Sequence, residues 1–128
     1  MLFRSMEEGY LNNDPAFRLT FYKQLLRVLA NAILDIRLQT MGMTEQEALD
    51  LMMNEAFQEK AEAVGKYQRA QLSSAQLPMY YSGWKGWTQT RAQFKERTGA
   101  AYSLKSFHER ALKESAVPLP VLAELMNR

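Results

Sequence analysis

Asp14–Met41 reads DPAFRLTFYKQLLRVLANAILDIRLQTM, and this stretch decides the fold. Asp14 offers a carboxylate to the free N–H groups of a helix start, and Pro15 suits the first helical position because its missing N–H has no partner to lose. Phe21, Leu25, Val28, Leu29, Ala32, Ile33 and Ile36 form one apolar face, and Tyr22, Leu26, Leu34 and Leu38 extend a second beside it. The spacing predicts a helix to about Met41, stopped by Gly42. So wide an apolar surface exceeds the single stripe of a surface helix and predicts neighbours on two sides.

Working outward, Thr44-Glu45-Gln46-Glu47 is a capping box that starts a second helix. Leu49, Met52, Met53, Ala56 and Phe57 supply its apolar positions, and the helical pattern reaches about Ala70, either unbroken or with a break on the way. Ser73-Ser74-Ala75-Gln76 repeats the capping-box pattern. Pro78, however, disfavours helical backbone at Leu77, which places the next regular start near Pro78 itself. That helix carries Tyr80, Gly83, Trp84, Trp87, Arg91 and Phe94 and ends at Thr98-Gly99. Ser103 caps a short helix with Leu104, Phe107, His108, Ala111 and Leu112, and Pro118 and Pro120 precede a last one with Val121, Leu122 and Leu125. No stretch alternates as a strand would. The expectation is an all-α fold, an irregular bundle of about five helices, and 128 residues suggest one compact unit.

Composition excludes several chemistries. Sixteen basic and fourteen acidic residues leave +2 with no long charged block, which gives no support to a nucleic-acid groove or a polybasic membrane anchor. Zero cysteines remove disulfides and thiolate metal sites, and a single histidine, His108, removes any centre that needs two imidazoles from this chain. No apolar run approaches a bilayer span, so the chain reads as soluble with its location open. There is no Gly-x-Ser-x-Gly elbow and no phosphate-binding loop. Glu55 and Glu59 read as a solvated face rather than a metal pair. Lys23, Arg27, Asn31 and Asp35 recur every four residues as a polar line that borders either a cleft or water.

Ser73 to Arg91 is the stretch richest in candidate chemistry, because tyrosines, tryptophans, a glutamine and an arginine gather around an irregular helix start. Phenol groups donate hydrogen bonds to a developing oxyanion, and a helix start attracts anions. The alternative from residue types is an ordinary aromatic core in which Gly83 and Gly86 admit a close neighbour. His108 likewise reads as a core-edge imidazole.

Ordered phrases along the chain resemble one bacterial family, the domain-of-unknown-function family 885, in its C-terminal part. They are Gly9-Tyr10, Asp14-Pro15, Asp35-Ile36-Arg37-Leu38, Met43-Thr44-x-x-Glu47-Ala48, Gln76-Leu77 followed by Tyr80 and Gly83, Phe107-His108, and Val117-Pro118-Leu119, covering about Met6 to Met126. The resemblance implies part of a larger, mostly helical zinc-metallopeptidase-like fold. Its metal would be held by a His-Glu-x-x-Pro-Gly-His segment and a later glutamate, none of which this sequence contains. Zinc is therefore implied for a complete protein and no metal ligand is assigned here. By the same resemblance Tyr80 and His108 are candidate catalytic residues facing a peptide substrate, and Gln76, Tyr81 and Arg91 are candidates for binding it. Gln39 stands where many relatives have histidine.

Leu2-Phe3-Arg4-Ser5 translates one frame of a common sequencing-adapter sequence, CTCTTCCGATCT, so residues 1–5 are expected to be non-native and 6–128 to be a C-terminal helical segment of a larger catalytic domain. The partner expected is the missing N-terminal half, with any export signal upstream. Alone the segment is expected to be inactive. The competing reading is a self-contained helical protein-interaction module without catalysis, using the apolar face of Phe17 to Met41.

Overall fold

The computed structural model describes residues 9–128, so the proposed non-native start at residues 1–5 lies outside the described residues. Those residues form six α-helices and no strand: α1 (Pro15–Met41), α2 (Glu45–Asp50), α3 (Lys60–Gln71), α4 (Pro78–Thr98), α5 (Leu104–Lys113) and α6 (Leu119–Asn127). Where the sequence suggested one compact unit, the chain divides into two, Met1–Tyr81 and Ser82–Arg128.

The helix boundaries follow local chemistry. Asp14 accepts hydrogen bonds from the N–H groups of Ala16 (2.9 Å) and Phe17 (3.1 Å), satisfying two donors that α1 leaves open. Gly42 ends α1 in the left-handed region at φ 64°, a conformation that glycine adopts without penalty. The Thr44–Glu47 capping box is complete: Glu47 accepts from the Thr44 N–H (2.8 Å), and the Glu47 N–H donates to the Thr44 hydroxyl (3.3 Å). The second helical stretch is interrupted between Asp50 and Lys60. Leu51–Glu55 widens into a π-turn, and Phe57, exposed and at φ 54°, takes a left-handed conformation that bulky residues seldom adopt. Glu55 ends that turn and Glu59 stands at the position just before α3, so the two carboxylates do not share one helix turn.

In the first unit, Ala30 and Leu34 of α1 pack with Met43, Ala48, Leu51, Met52, Ala56, Ala63, Ala70 and Leu77. Five of these are alanines, whose small side chains let helix backbones approach closely. Leu34 is fully buried and Phe21, Ala30 and Ala32 are buried with it, whereas Leu26, Ile33 and Ile36 are exposed, so part of the broad apolar surface of α1 stays open.

The second unit is built on aromatic packing. Phe94, Phe107, Ala111, Leu122 and Met126 form its core, with Trp87 edge-on to Phe107 at 6.1 Å between ring centroids. The carbonyls that end α6 are closed by cations from other helices: Arg97 of α4 donates to the Met126 carbonyl (2.6 Å) and Arg110 of α5 to the Leu125 carbonyl (2.7 Å). Gly86 admits a close neighbour, since a Cβ there would stand 2.9 Å from Leu119 Cδ1, while a Cβ at Gly83 would meet nothing within 4 Å.

Leu34→Ala, at a site with no exposed surface, is expected to cost about 2–5 kcal/mol in urea unfolding, against roughly 0.5 kcal/mol for Leu19→Ala on the open side. Glu47 is held below its ordinary value of 4.5 by the Thr44 N–H and hydroxyl. Its contribution is therefore present above that value and lost as pH falls through the lowered one. Melting temperature followed from pH 6 downward is expected to depend less on pH in Glu47→Gln than in the parent.

Candidate functional site

The site begins at one carboxylate. Asp35 lies in the apolar middle of α1 and is 2% exposed. Its Oδ1 accepts the N–H of Ala75 (3.1 Å) and its Oδ2 the N–H of Leu77 (3.4 Å). A buried carboxylate needs such donors to offset its lost hydration. The two N–H groups belong to the irregular segment before α4, where regular secondary structure offers them nothing. One group thus satisfies two needs and fastens Ser73–Leu77 onto α1.

Gln39, one helical turn further along α1, extends the same fastening. Its Nε2 donates to the carbonyls of Ala70 (2.9 Å) and Ser73 (3.0 Å), so the end of α3 and the start of the segment are gripped by one amide. Arg69 of α3 donates to Gln76 Oε1 at 2.9 Å. Ala75 itself sits at φ 62°, left-handed without being glycine, a strained backbone held in place by these bonds.

Of the candidates drawn from the sequence, Gln76, Tyr80 and Tyr81 belong to the first unit and Arg91 and His108 to the second. Gln76 and Tyr80 are exposed on either side of the α4 start, Tyr80 at 60%. Tyr81 and Arg91 are half-buried along α4. His108 is half-buried on α5, edge-on to Phe107 at 5.4 Å. Leu77 is 3% exposed and enters the core, which anchors the segment from its apolar side.

The polar line on α1 also resolves. Lys23 is exposed, Arg27 pairs with Glu62 of α3, and Asp35 is the buried clamp. Asn31 Oδ1 is buried without a hydrogen-bond partner, as is Nε2 of Gln58. Lys66 of α3 donates to Gln58 Oε1 (2.9 Å) and Glu62 Oε1 (3.2 Å), and burial pulls its ammonium below the ordinary lysine value against the opposing pull of Glu62. Within the line, Arg27 reaches α3 and Asp35 reaches the segment before α4.

Asp35, Gln39 and Arg69 carry no site role in the sequence reading. A lone acid amid the apolar positions of a buried helix was the available signal, because such a group demands donors from somewhere. Nothing in the linear order says that Ala75 and Leu77 supply them.

Among the described residues no group of three or more His, Cys, Asp or Glu side chains is placed to hold a metal ion. The residues present do not fit a zinc centre. Among the same residues no helix is long and apolar enough to cross a membrane.

The model of one bacterial family, described as "Bacterial protein of unknown function (DUF885)", matches residues 4–126. Among solved structures, the chain is similar to a protein from Shewanella oneidensis described as a candidate lipoprotein of unknown function. The two share 44% sequence identity with a TM-score of 0.93, covering 98% of this chain. The chain spans 23% of that protein's length. No curated protein matches.

Asp35→Asn turns one acceptor into an N–H donor that faces another donor. It is expected to destabilise the first unit by about 1–3 kcal/mol and to speed hydrogen exchange at the Ala75 and Leu77 amides while leaving the α5 and α6 amides unchanged.

Proposed function

This chain belongs to the bacterial family DUF885, and on that premise we propose that it forms one wall of a peptide-binding cleft in a longer, zinc-dependent peptidase. The single observation that carries this reading is the fastening of an exposed, hydrogen-bonding surface by the buried Asp35 carboxylate and the Gln39 amide. Tyr80 stands 60% exposed at the start of α4, immediately after a segment whose N–H and carbonyl groups are tied to Asp35 and Gln39. Holding a surface segment in a strained, fixed path costs stability, and strain of this kind clusters at binding and active sites. Preorganised donors aimed where charge develops are what acyl-transfer chemistry uses.

In this role the Tyr80 hydroxyl donates to the oxygen of the peptide carbonyl as that oxygen becomes negative. Gln76, oriented through Arg69, offers its amide N–H to the peptide backbone, and Tyr81 orients the bound chain beside it. Arg91 pairs with a substrate carboxylate through its forked guanidinium. In the second unit His108, half-buried beside Phe107, polarises a carbonyl of the bound peptide. Zinc is implied by the family resemblance alone, and the residues here do not fit it. An ion of that kind would be held by polypeptide outside this chain. The chain's own contribution is binding, orientation and charge stabilisation.

The 128-residue chain with added zinc is expected to leave peptide substrates uncut. In a full-length family member, replacing the tyrosine that corresponds to Tyr80 by phenylalanine is expected to lower kcat about 10²–10³-fold with a much smaller change in KM. An unchanged kcat would remove Tyr80 from the chemistry, and turnover by the isolated chain would refute the division of labour.

A further inference from the structure

The open side of α1 has the regularity of an interface. Leu19, Tyr22, Leu26, Leu29, Ile33 and Ile36 follow one another at alternating steps of three and four residues, the spacing at which one helix meets another along a seam. All but Leu29, which is half-buried, are exposed, Leu19 at 72% and Ile36 at 49%. The stripe runs about 25 Å along the helix at ~1.5 Å per residue. A run of large apolar side chains this ordered is more than the scattered apolar exposure of an ordinary surface.

Charge narrows the occupant. α1 carries five charged residues, Arg18, Lys23, Arg27, Asp35 and Arg37. Arg27 is paired with Glu62, and Asp35 is buried in its clamp. The three that remain exposed, Arg18, Lys23 and Arg37, are all positive and occupy positions flanking the seam. Flanking charges select a partner of opposite sign. The similar Shewanella protein bears on where such a partner comes from: the same fold occupies only 23% of that polypeptide.

We propose that the Leu19–Ile36 stripe of α1 seats an amphipathic helix with an apolar seam and acidic flanks, contributed by the part of the longer family polypeptide that lies outside the matched segment. The proposal concerns a different face from the Tyr80 surface and stands whether or not that surface binds peptide.

Fluorescence anisotropy with the 128-residue chain tests it, using two synthetic four-heptad helices with leucine at the seam, one flanked by glutamates and one by lysines. The glutamate helix is expected to bind, and the lysine helix about tenfold or more weakly. Combining Leu26→Glu with Ile33→Glu is expected to cost about tenfold or more, because a carboxylate would enter an apolar seam. Arg18→Glu, Lys23→Glu and Arg37→Glu together are expected to reverse the preference between the two helices. Circular dichroism of each variant must match the parent, and these substitutions lie on exposed positions. Overlapping peptides from the unmatched part of the Shewanella protein are expected to include an acidic-flanked one that displaces the designed helix. The proposal is overturned if neither helix binds, if binding ignores the substitutions, or if no natural peptide competes. Self-association of the chain abolished by Leu26→Glu, or the same substitution abolishing adsorption to phosphatidylglycerol vesicles, would also overturn it by assigning the stripe to a second copy or to lipid.

Discussion

The buried carboxylate of Asp35 is the interaction on which the first unit's exposed surface depends. A carboxylate at 2% exposure has lost its water and requires donors, while a segment between two helices has N–H groups that no helix can satisfy. Each deficit is met by the other at Ala75 and Leu77. The arrangement fixes backbone rather than side chains, and so it determines where Gln76 and Tyr80 stand on the first unit. Gln39 adds a second attachment through two carbonyls, and together the two residues bind the donors and the acceptors of one segment to a single helix.

The two units hold their helices by different means. In the first, five alanines and the methionines Met43 and Met52 fill a core in which helices lie close together, and polar contacts among Arg27, Glu62, Lys66 and Gln58 close its edge. In the second, rings do the filling: Phe94 and Phe107 lie 5.7 Å apart, with Trp87 and Tyr102 at their edges. There the C-terminal end of α6 is held by guanidinium groups from two other helices. Large rings suit a small unit because each buries much area at little entropic cost.

Strain is concentrated where the path of the chain changes. Phe57 follows the π-turn and Ala75 precedes α4, both left-handed without being glycine. The surrounding bonds account for Ala75. The side chain of Phe57 is exposed, and the backbone around it is fixed by the Gln58 N–H, which donates to the Met52 carbonyl at 2.9 Å.

Local sequence determined the helices and most of their ends. Asp14, Thr44 and Ser103 cap because their side chains reach N–H groups two or three residues ahead, and Gly42 and Pro78 act through their own backbone geometry; such effects need no distant partner. The absence of a metal-binding histidine pair was likewise fixed by composition, and ordered phrases sufficed to identify the family. Tertiary structure alone decided which half of α1's apolar surface is buried, that the helical stretch breaks at Leu51–Glu59, that the chain forms two units, and that Asp35 and Gln39 hold the segment before Tyr80. The last of these rests on contacts between residues some 30 to 40 positions apart, and periodicity along a helix shows that a face is apolar without showing what covers it.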